Sequence, residues 1–432
     1  MKKKIYVPLA VDVLHSAHIN LLKKASKYGY VVVGLLTDKA ISEYKQIPML
    51  SYQERFKIVS GLKLVNQIVE QDRWDYTINI KKYKPDYFLH GDDWKNGIQK
   101  ILRKKVIKTL KKIKSKLIEI PYTKNISSSE IKLKIEKARI NSENRISVLK
   151  RLINSKPIVK VLESHNSLTG LIIENTKLIK NKNINEFDAM WSSSLTDSAT
   201  KGKPDNSSVD FTSRIISLND MLDVTTKPLI FDADNGGQIE HISYLIRSLE
   251  RSGVSAIIME DKIGLKKNSL FANQKDAKQD SINSFSKKIK KVVDSRKNND
   301  FLAIARIESF ILNKGVKDAL KRANAYSKAG ADAILIHSKE KNTKQIFSFA
   351  KEFKKSKYFR PMVAVPSTYS NVREKELIKN GFKIVIYANH LLRAAYPAME
   401  NVAKSILING RSYQLERKII PISKIINLIK ND

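Results

Sequence analysis

Short apolar runs alternate with stretches of helical spacing along most of the chain. Near its start, residues 5–10 and 31–36 read as buried strands, and Tyr87-Phe88-Leu89-His90 as a third. Between them, residues 18–27 carry helical spacing, and 51–60 begins another helix. Strands that alternate with helices imply a parallel sheet, which takes ligands at the carboxyl ends of its strands. Beyond residue 134 the rhythm lengthens. Apolar runs recur at 158–162, 189–191, 228–231, 256–259, 301–305, 333–336, 362–365 and 383–387, mostly followed by helical periodicity. Eight such units over roughly 240 residues predict a closed (β/α)8 barrel. Residues 126–150 read as a polar joint, Ser127-Ser128-Ser129 leading into a Lys/Glu-rich helix without large aromatics. The expected architecture is α/β, with a smaller Rossmann-like parallel α/β domain over 1–133 and a TIM-type barrel over 134–432.

The residues that follow each barrel run carry the chemistry. The first run is followed by Glu163-Ser164-His165-Asn166, the second by Trp191-Ser192-Ser193, and the third by Asp232-Ala233-Asp234. The fourth leads to Glu260-Asp261-Lys262, the fifth to Arg306 and Glu308, and the sixth to His337-Ser338-Lys339. Pro366-Ser367-Thr368 and Asn389-His390 close the set. Barrel active sites lie at that carboxyl-terminal face, so these side chains converge on one mouth. Asp232, Asp234 and Glu260 form an oxygen-only donor set suited to Mg²⁺, with Mn²⁺ the alternative. Lys266, Arg306 and His337 face the same mouth and suit a substrate bearing a carboxylate and a phosphoryl group.

Composition narrows the classes. The 432 residues contain no cysteine, which excludes disulfides, zinc–thiolate sites, iron–sulfur clusters and cysteine nucleophiles. No run approaches the roughly 18 apolar residues of a membrane span. Asp12, His15 and His18 interrupt any secretory core after Met1-Lys2-Lys3-Lys4, so a cytoplasmic protein is expected. Lys and Arg number 80 against 43 Asp and Glu, a formal charge of +37. The excess is spread along the chain, and its densest stretch, 100–116, reads as an amphipathic helix with a solvated basic face. A basic nucleic-acid-associated protein is therefore the lesser reading, since base-stacking aromatics are not interleaved there.

The second part resembles the phosphoenolpyruvate mutase family of the isocitrate lyase/phosphoenolpyruvate mutase superfamily. The stretch Glu260-Asp261-Lys262-Ile263-Gly264-Leu265-Lys266-Lys267-Asn268-Ser269 carries the resemblance. So do Trp191-Ser192-Ser193-Ser194-Leu195, Asp232-Ala233-Asp234, Ala305-Arg306-Ile307-Glu308, His337-Ser338-Lys339 and Ala388-Asn389-His390. The resemblance implies interconversion of phosphoenolpyruvate and 3-phosphonopyruvate, with phosphonopyruvate hydrolase the alternative. It implies Asp232 as the direct Mg²⁺ ligand, Asp234 and Glu260 acting through waters, and Asp205 near the metal. Backbone N–H groups around Ser193 and Leu195 would hold a carboxylate. Arg306, His337 and Asn268 would hold the phosphoryl group, Trp191 would cover the pyruvyl face, and Lys266 and Asn268 would ride on a closing loop. The loop after the Asp pair departs from the family's Thr-Gly-Tyr-Gly and reads Asn235-Gly236-Gly237-Gln238. The family's lyases need a cysteine that is absent here. The resemblance also implies a homo-oligomer, dimer or tetramer, in which 391–408 could be exchanged.

The first part is similar to the cytidylyltransferase-like nucleotidyltransferases, through His15-Ser16-Ala17-His18, Tyr52-Gln53-Glu54-Arg55, Gly91-Asp92-Asp93-Trp94 and Ile126-Ser127-Ser128-Ser129. This implies CTP as a substrate, bound by His15, His18, Ser127 and Ser128, with serines and N–H groups at a helix start on phosphate. Ala17 replaces a family glycine. Tyr122 replaces an arginine, for which Lys124 or Lys45 would substitute.

Overall fold

The computed structural model describes residues 2–95, 99–121, 142–180, 183–264, 266–270, 274 and 277–428. In the N-terminal unit β1 (Lys4–Leu9), β2 (Tyr30–Leu36), β3 (Gln67–Gln71), β4 (Tyr87–Gly91) and β5 (Lys116–Ile120) are parallel and lie in the order β3-β2-β1-β4-β5. Ligands of such sheets sit outside the strand ends where the order reverses, here between β1 and β4. Helices α1 (Ser16–Ser26), α2 (Asp38–Ser42), α3 (Tyr52–Ser60), α4 (Thr77–Tyr83) and α5 (Gln99–Lys112) connect the strands. The alternating side chains of β1 and β2 divide between two apolar clusters, so both faces of the sheet are covered.

The start of α3 ties the sheet to its loops. Ser51 caps the helix, and the Glu54 carboxylate accepts from the Ser51 N–H at 2.7 Å. The fully buried Arg55 donates to the carbonyls of Ala10 (2.6 Å) and Leu36 (2.7 Å), at the ends of β1 and β2, and to Asp38 at 2.8 Å.

The barrel closes through β6 (Val159–Glu163), β9 (Ala189–Ser192), β10 (Leu229–Asp232), β11 (Ala256–Glu260), β14 (Leu302–Ile307), β15 (Ala333–Ile336), β16 (Met362–Ala364) and β17 (Phe382–Tyr387), each pairing with its neighbours in parallel. All eight expected strands are present within a residue or two. A hairpin, β7 (Lys177–Lys180) and β8 (Asn183–Glu186), precedes β9, and a ribbon, β12 (Lys262–Ile263) and β13 (Lys278–Gln279), follows β11.

The expected polar joint differs from the structure. Its second half begins α6 (Ser142–Ser155), and Ile146, Leu149, Leu152 and Ile153 of that helix are buried. Leu149, Leu152 and Ile153 pack with the inward residues Val159, Val161, Ala256, Leu302 and Ala333, so α6 plugs the floor of the barrel. Basic residues on its other face made it look like a linker. The 133/134 boundary lies outside the described residues. The expected basic helix is also shorter: α5 stops at Lys112, and 116–120 pairs with β4 as an edge strand.

Candidate active site

Each barrel candidate sits where its strand ends. Trp191 lies near the end of β9, and Ser193 immediately precedes the helix Ser194–Thr200, which places Leu195 in its first turn. Asp232 ends β10 and Glu260 ends β11. Asp234 holds φ +50°, a left-handed backbone that Asp tolerates better than most residues and that turns the chain sharply after β10. The following Gly236, at φ +78°, abuts Met259, where an added Cβ would lie 2.4 Å from the sulfur. All the barrel residues expected from sequence line one cavity: Trp191, Ser193, Leu195, Asp205, Asp232, Asp234, Glu260, Lys266, Asn268, Arg306 and His337.

Two charge clusters divide this cavity. In the first, the Lys266 ammonium contacts Asp205 Oδ1, Asp234 Oδ1 and Ser194 Oγ, each at 2.5 Å. Asn268 Nδ2 donates to Asp205 Oδ2 at 2.7 Å, so Asp205 receives the 266–270 loop through two side chains. The Ser194 hydroxyl and N–H donate to Asp232 Oδ2, at 3.0 and 3.4 Å. In the second cluster, Arg306 Nε donates to Glu308 at 2.6 Å, and its Nη2 reaches Ser269 at 2.9 Å and Glu260 at 3.2 Å. His337 Nδ1 lies 3.0 Å from Arg306 Nη2 and 3.2 Å from Glu308. Nδ1 thus lies between a donor, the guanidinium, and an acceptor, the carboxylate.

Burial sets the electrostatics. Burial and the neighbouring Asp232 push the Asp234 carboxyl up. Burial, with Glu308 and Asp234 close by, pushes Glu260 up to about 7. Burial also works against Asp232, yet Lys266, Arg306 and Arg214 hold its carboxyl low. Burial and the Arg306 charge lower His337, which keeps its ring neutral. The carboxylate side of the cavity is therefore short of positive charge. Among the described residues no three acidic or histidine side chains converge tightly enough to hold a metal ion unaided. Mg²⁺ engages only one or two carboxylates and keeps several waters, so the oxygen-only set of Asp232, Asp234 and Glu260 fits that ion. The Trp191 indole N–H, buried in the cavity wall, has no protein acceptor among the described residues.

At the N-terminal switch point, His15 precedes α1, and its ring packs 3.9 Å from that of His18. Burial, then His15 and Lys45, push His18 down to about 3, and burial lowers His15 as well. Ser127 and Ser128 lie outside the described residues.

The phosphoenolpyruvate phosphomutase family matches residues 149–407, more than half of the chain. The chain belongs to the phosphoenolpyruvate phosphomutase family. It is 35% identical to a phosphoenolpyruvate phosphomutase of Tetrahymena pyriformis over 275 residues, 63% of this chain and 87% of that protein. The crystal structure of a phosphoenolpyruvate phosphomutase from Streptomyces platensis subsp. rosaceus superimposes with a TM-score of 0.61 at 31% identity, covering 66% of this chain and 94% of that one. A phosphonopyruvate hydrolase solved with oxalate and Mg²⁺ superimposes with a TM-score of 0.59 at 29% identity, over 67% and 95%. Residues 11–134 match the cytidylyltransferase-like family. Over 95 residues they are 35% identical to a glycerol-3-phosphate cytidylyltransferase of Bacillus spizizenii, 22% of this chain and 74% of that protein.

Within the phosphomutase barrel several further residues, to which the sequence assigns no individual role, support those above. Glu308, fully buried, joins Arg306, His337 and Ser269, and Lys262 stands 3.6 Å from it. Its own N–H is held by Asp261, a buried carboxylate that also accepts from Tyr326 and Arg322. Arg214 pairs with Asp197 at 2.8 Å and donates to the Asp232 carbonyl at 2.5 Å. Position after a strand flags Glu308 and Asp261. Nothing local flags Arg214, which reaches the mouth from the helix Phe211–Asp223.

Proposed function

We propose that the barrel interconverts phosphoenolpyruvate and 3-phosphonopyruvate. The observation that carries this reading is one cavity in which a carboxylate cluster faces an arginine–histidine pair, the two halves needed for a pyruvyl unit and a phosphoryl group. In the forward direction the enol O–P bond breaks and its electron pair stays on the enol oxygen. The enol carbon then bonds to phosphorus as that oxygen becomes a carbonyl. No proton enters or leaves, so the side chains hold, screen and exclude rather than act as acids or bases. A loose, metaphosphate-like transfer needs mainly charge stabilisation.

Arg306 and the His337 ring hold the phosphoryl oxygens, with Asn268 from the loop. The first N–H groups of the helix Ser194–Thr200, beside Ser193 and Leu195, supply donors for the carboxylate. Trp191 covers the pyruvyl face. Lys266 and Asn268 latch the loop on Asp205, which keeps water from the transferring group. Asp232, Asp234 and Glu260 would hold Mg²⁺ (or Mn²⁺), directly or through waters. When bound, the ion supplies positive charge to the pyruvyl oxygens.

³¹P NMR of phosphonopyruvate with the protein and Mg²⁺ tests this: a phosphoenolpyruvate signal supports the mutase. Inorganic phosphate alone would establish the hydrolase reading, which the similarity to the solved hydrolase keeps in play.

The N-terminal unit is read as a CTP site, with His15 and His18 stabilising the triphosphate. Transfer of CMP to a phosphonate, with release of pyrophosphate, is the reaction to assay. The helix His390–Asn409 buries none of its twenty residues and exposes Tyr396, Met399, Leu407 and Ile408. A second copy of the chain is proposed to cover it, and light scattering would report that dimer or tetramer.

A further inference from the structure

We infer that Arg151, on the floor of the barrel, is a positioning residue for the N-terminal nucleotide site, which is complete only while its domain is docked on the barrel. The inference rests on reading His15, His18 and Lys45 as groups that meet a nucleotide triphosphate.

The segment 44–50 links α2 to α3 and belongs by sequence to the N-terminal unit. It has no helix or strand of its own. Much of what fixes its course comes from the barrel. Ile47 is buried among Leu149, Leu152 and Ile153 of α6. Gln46 Nε2 donates to both Glu186 oxygens, at 3.0 and 3.1 Å, on the hairpin before β9. Arg151 then takes three consecutive carbonyls of the segment. Its Nη2 donates to Pro48 at 2.6 Å and Leu50 at 3.1 Å, and its Nη1 to Met49 at 2.9 Å. Its Nε donates at 2.9 Å to Asp38, whose other oxygen is held by Arg55. Three carbonyls on one planar guanidinium fix the path of the chain in a way that an ammonium cannot reproduce.

The opposite side of the segment faces the candidate nucleotide site. The Met49 N–H donates at 2.6 Å to Asp12, a buried carboxylate three residues before His15. Val11, beside it, holds φ +49°, a costly conformation for a β-branched residue that surrounding contacts must maintain. Lys45 stands close enough to His18 for its charge to act on that ring. Arg151 therefore fixes the backbone that carries Lys45 and braces Asp12, at the foot of the His15-Ser16-Ala17-His18 turn. With the clamp gone, nucleotide binding must bear the cost of ordering the segment. The phosphomutase cavity lies at the carboxyl ends of the barrel strands, whereas α6 leads into the amino end of β6, so turnover there should not respond.

The test is calorimetric titration of CTP into the full-length protein, comparing wild type, Arg151→Ala, Lys45→Ala and the double variant. Phosphomutase turnover by ³¹P NMR serves as the check on folding. A charge-assisted contact of this kind predicts that each single variant loses about tenfold or more in CTP affinity. The double variant should lose little beyond the worse single, because both changes remove the same contact. Arg151→Lys, which keeps the charge opposite Asp38 but cannot span three carbonyls, should be intermediate. It replaces Arg151→Ala if that variant does not fold. Wild-type affinity in the Arg151 variants, or losses that simply add, overturns the inference while leaving the nucleotide reading intact. A wild-type protein that does not bind CTP overturns the nucleotide reading, and the inference with it.

Discussion

The barrel mouth and the N-terminal switch point both place polar side chains at the carboxyl ends of parallel strands, yet they handle charge in opposite ways. At the mouth, the carboxyl groups of Asp205, Asp234, Glu260 and Glu308 each contact a cation, Lys266 or Arg306. The cost of burying these charges is offset by pairing, which works only with close geometry. At the switch point, the His15 and His18 rings lie side by side and burial keeps them uncharged. The charge that acts on His18 is that of Lys45, on a loop that the barrel holds. The mouth is thus built by its own strand ends, whereas the N-terminal site leans on a neighbouring domain.

Substitutions confined to one region break or sharpen this contrast. Asp232→Ala removes the carboxylate at the centre of the mouth. Loss of one preorganised electrostatic element of this kind costs about 10³-fold or more in turnover. Phosphonopyruvate consumption followed by ³¹P NMR should become undetectable while CTP affinity is retained. A folded Asp232→Ala protein with normal turnover would refute the assignment. The reciprocal change, His18→Ala, should lower pyrophosphate release from CTP by about 10²-fold, the scale of losing one positioned donor. It should leave the phosphomutase rate unaltered, and equal loss of both activities would erase the distinction between the two regions. Glu308→Gln is expected to act more through structure. It keeps the shape of the side chain but leaves Arg306 and Lys262 short of a counter-charge. Breaking one side of a buried ion pair costs about 3–5 kcal/mol, which a thermal melt would reveal as a lowered midpoint. Turnover should fall through kcat, since Arg306 and His337 lose their common anchor.

Much of the barrel was legible because each strand is apolar on both faces. Runs such as Ala256-Ile257-Ile258-Met259 feed two clusters, one inside the barrel and one beneath the helices. Once eight runs are recognised, the mouth follows, because a barrel places whatever follows each strand on one rim. Long-range partners are a different matter. Lys266 meets Asp205 across 61 positions and Arg214 meets the Asp232 carbonyl across 18, and no local pattern encodes either meeting. The edge strands β3, Gln67-Ile68-Val69-Glu70-Gln71, and β5, Lys116-Leu117-Ile118-Glu119-Ile120, were missed because exposure lets polar residues interrupt their apolar runs. Helix α6 was misjudged because Arg145 and Lys150, which bond the barrel, and Arg151, which bonds the N-terminal unit, mask the stripe of Ile146, Leu149, Leu152 and Ile153.

The smallest expected effect examines the N-terminal half of the contrast most directly. A histidine that folding keeps neutral must bind fewer protons than its unfolded counterpart over a defined window. For His18 that window runs from the ordinary value of 6.5 down to about 3. Above pH 6.5 neither state is protonated and the group contributes nothing to pH dependence. As pH falls below 6.5 the unfolded chain gains a proton that the folded ring resists, so stability declines until the folded ring also titrates. The slope from one such group is at most about 1.4 kcal/mol per pH unit, and the partial exposure of the pair reduces it. NMR titration of the His18 ring should place its midpoint well below 6.5. His18→Asn should flatten the acid limb of a stability-against-pH curve while leaving the neutral limb in place. A ring that titrates at an ordinary value would mean that His18 is solvated, and the switch point would then manage charge as an open surface rather than by burial.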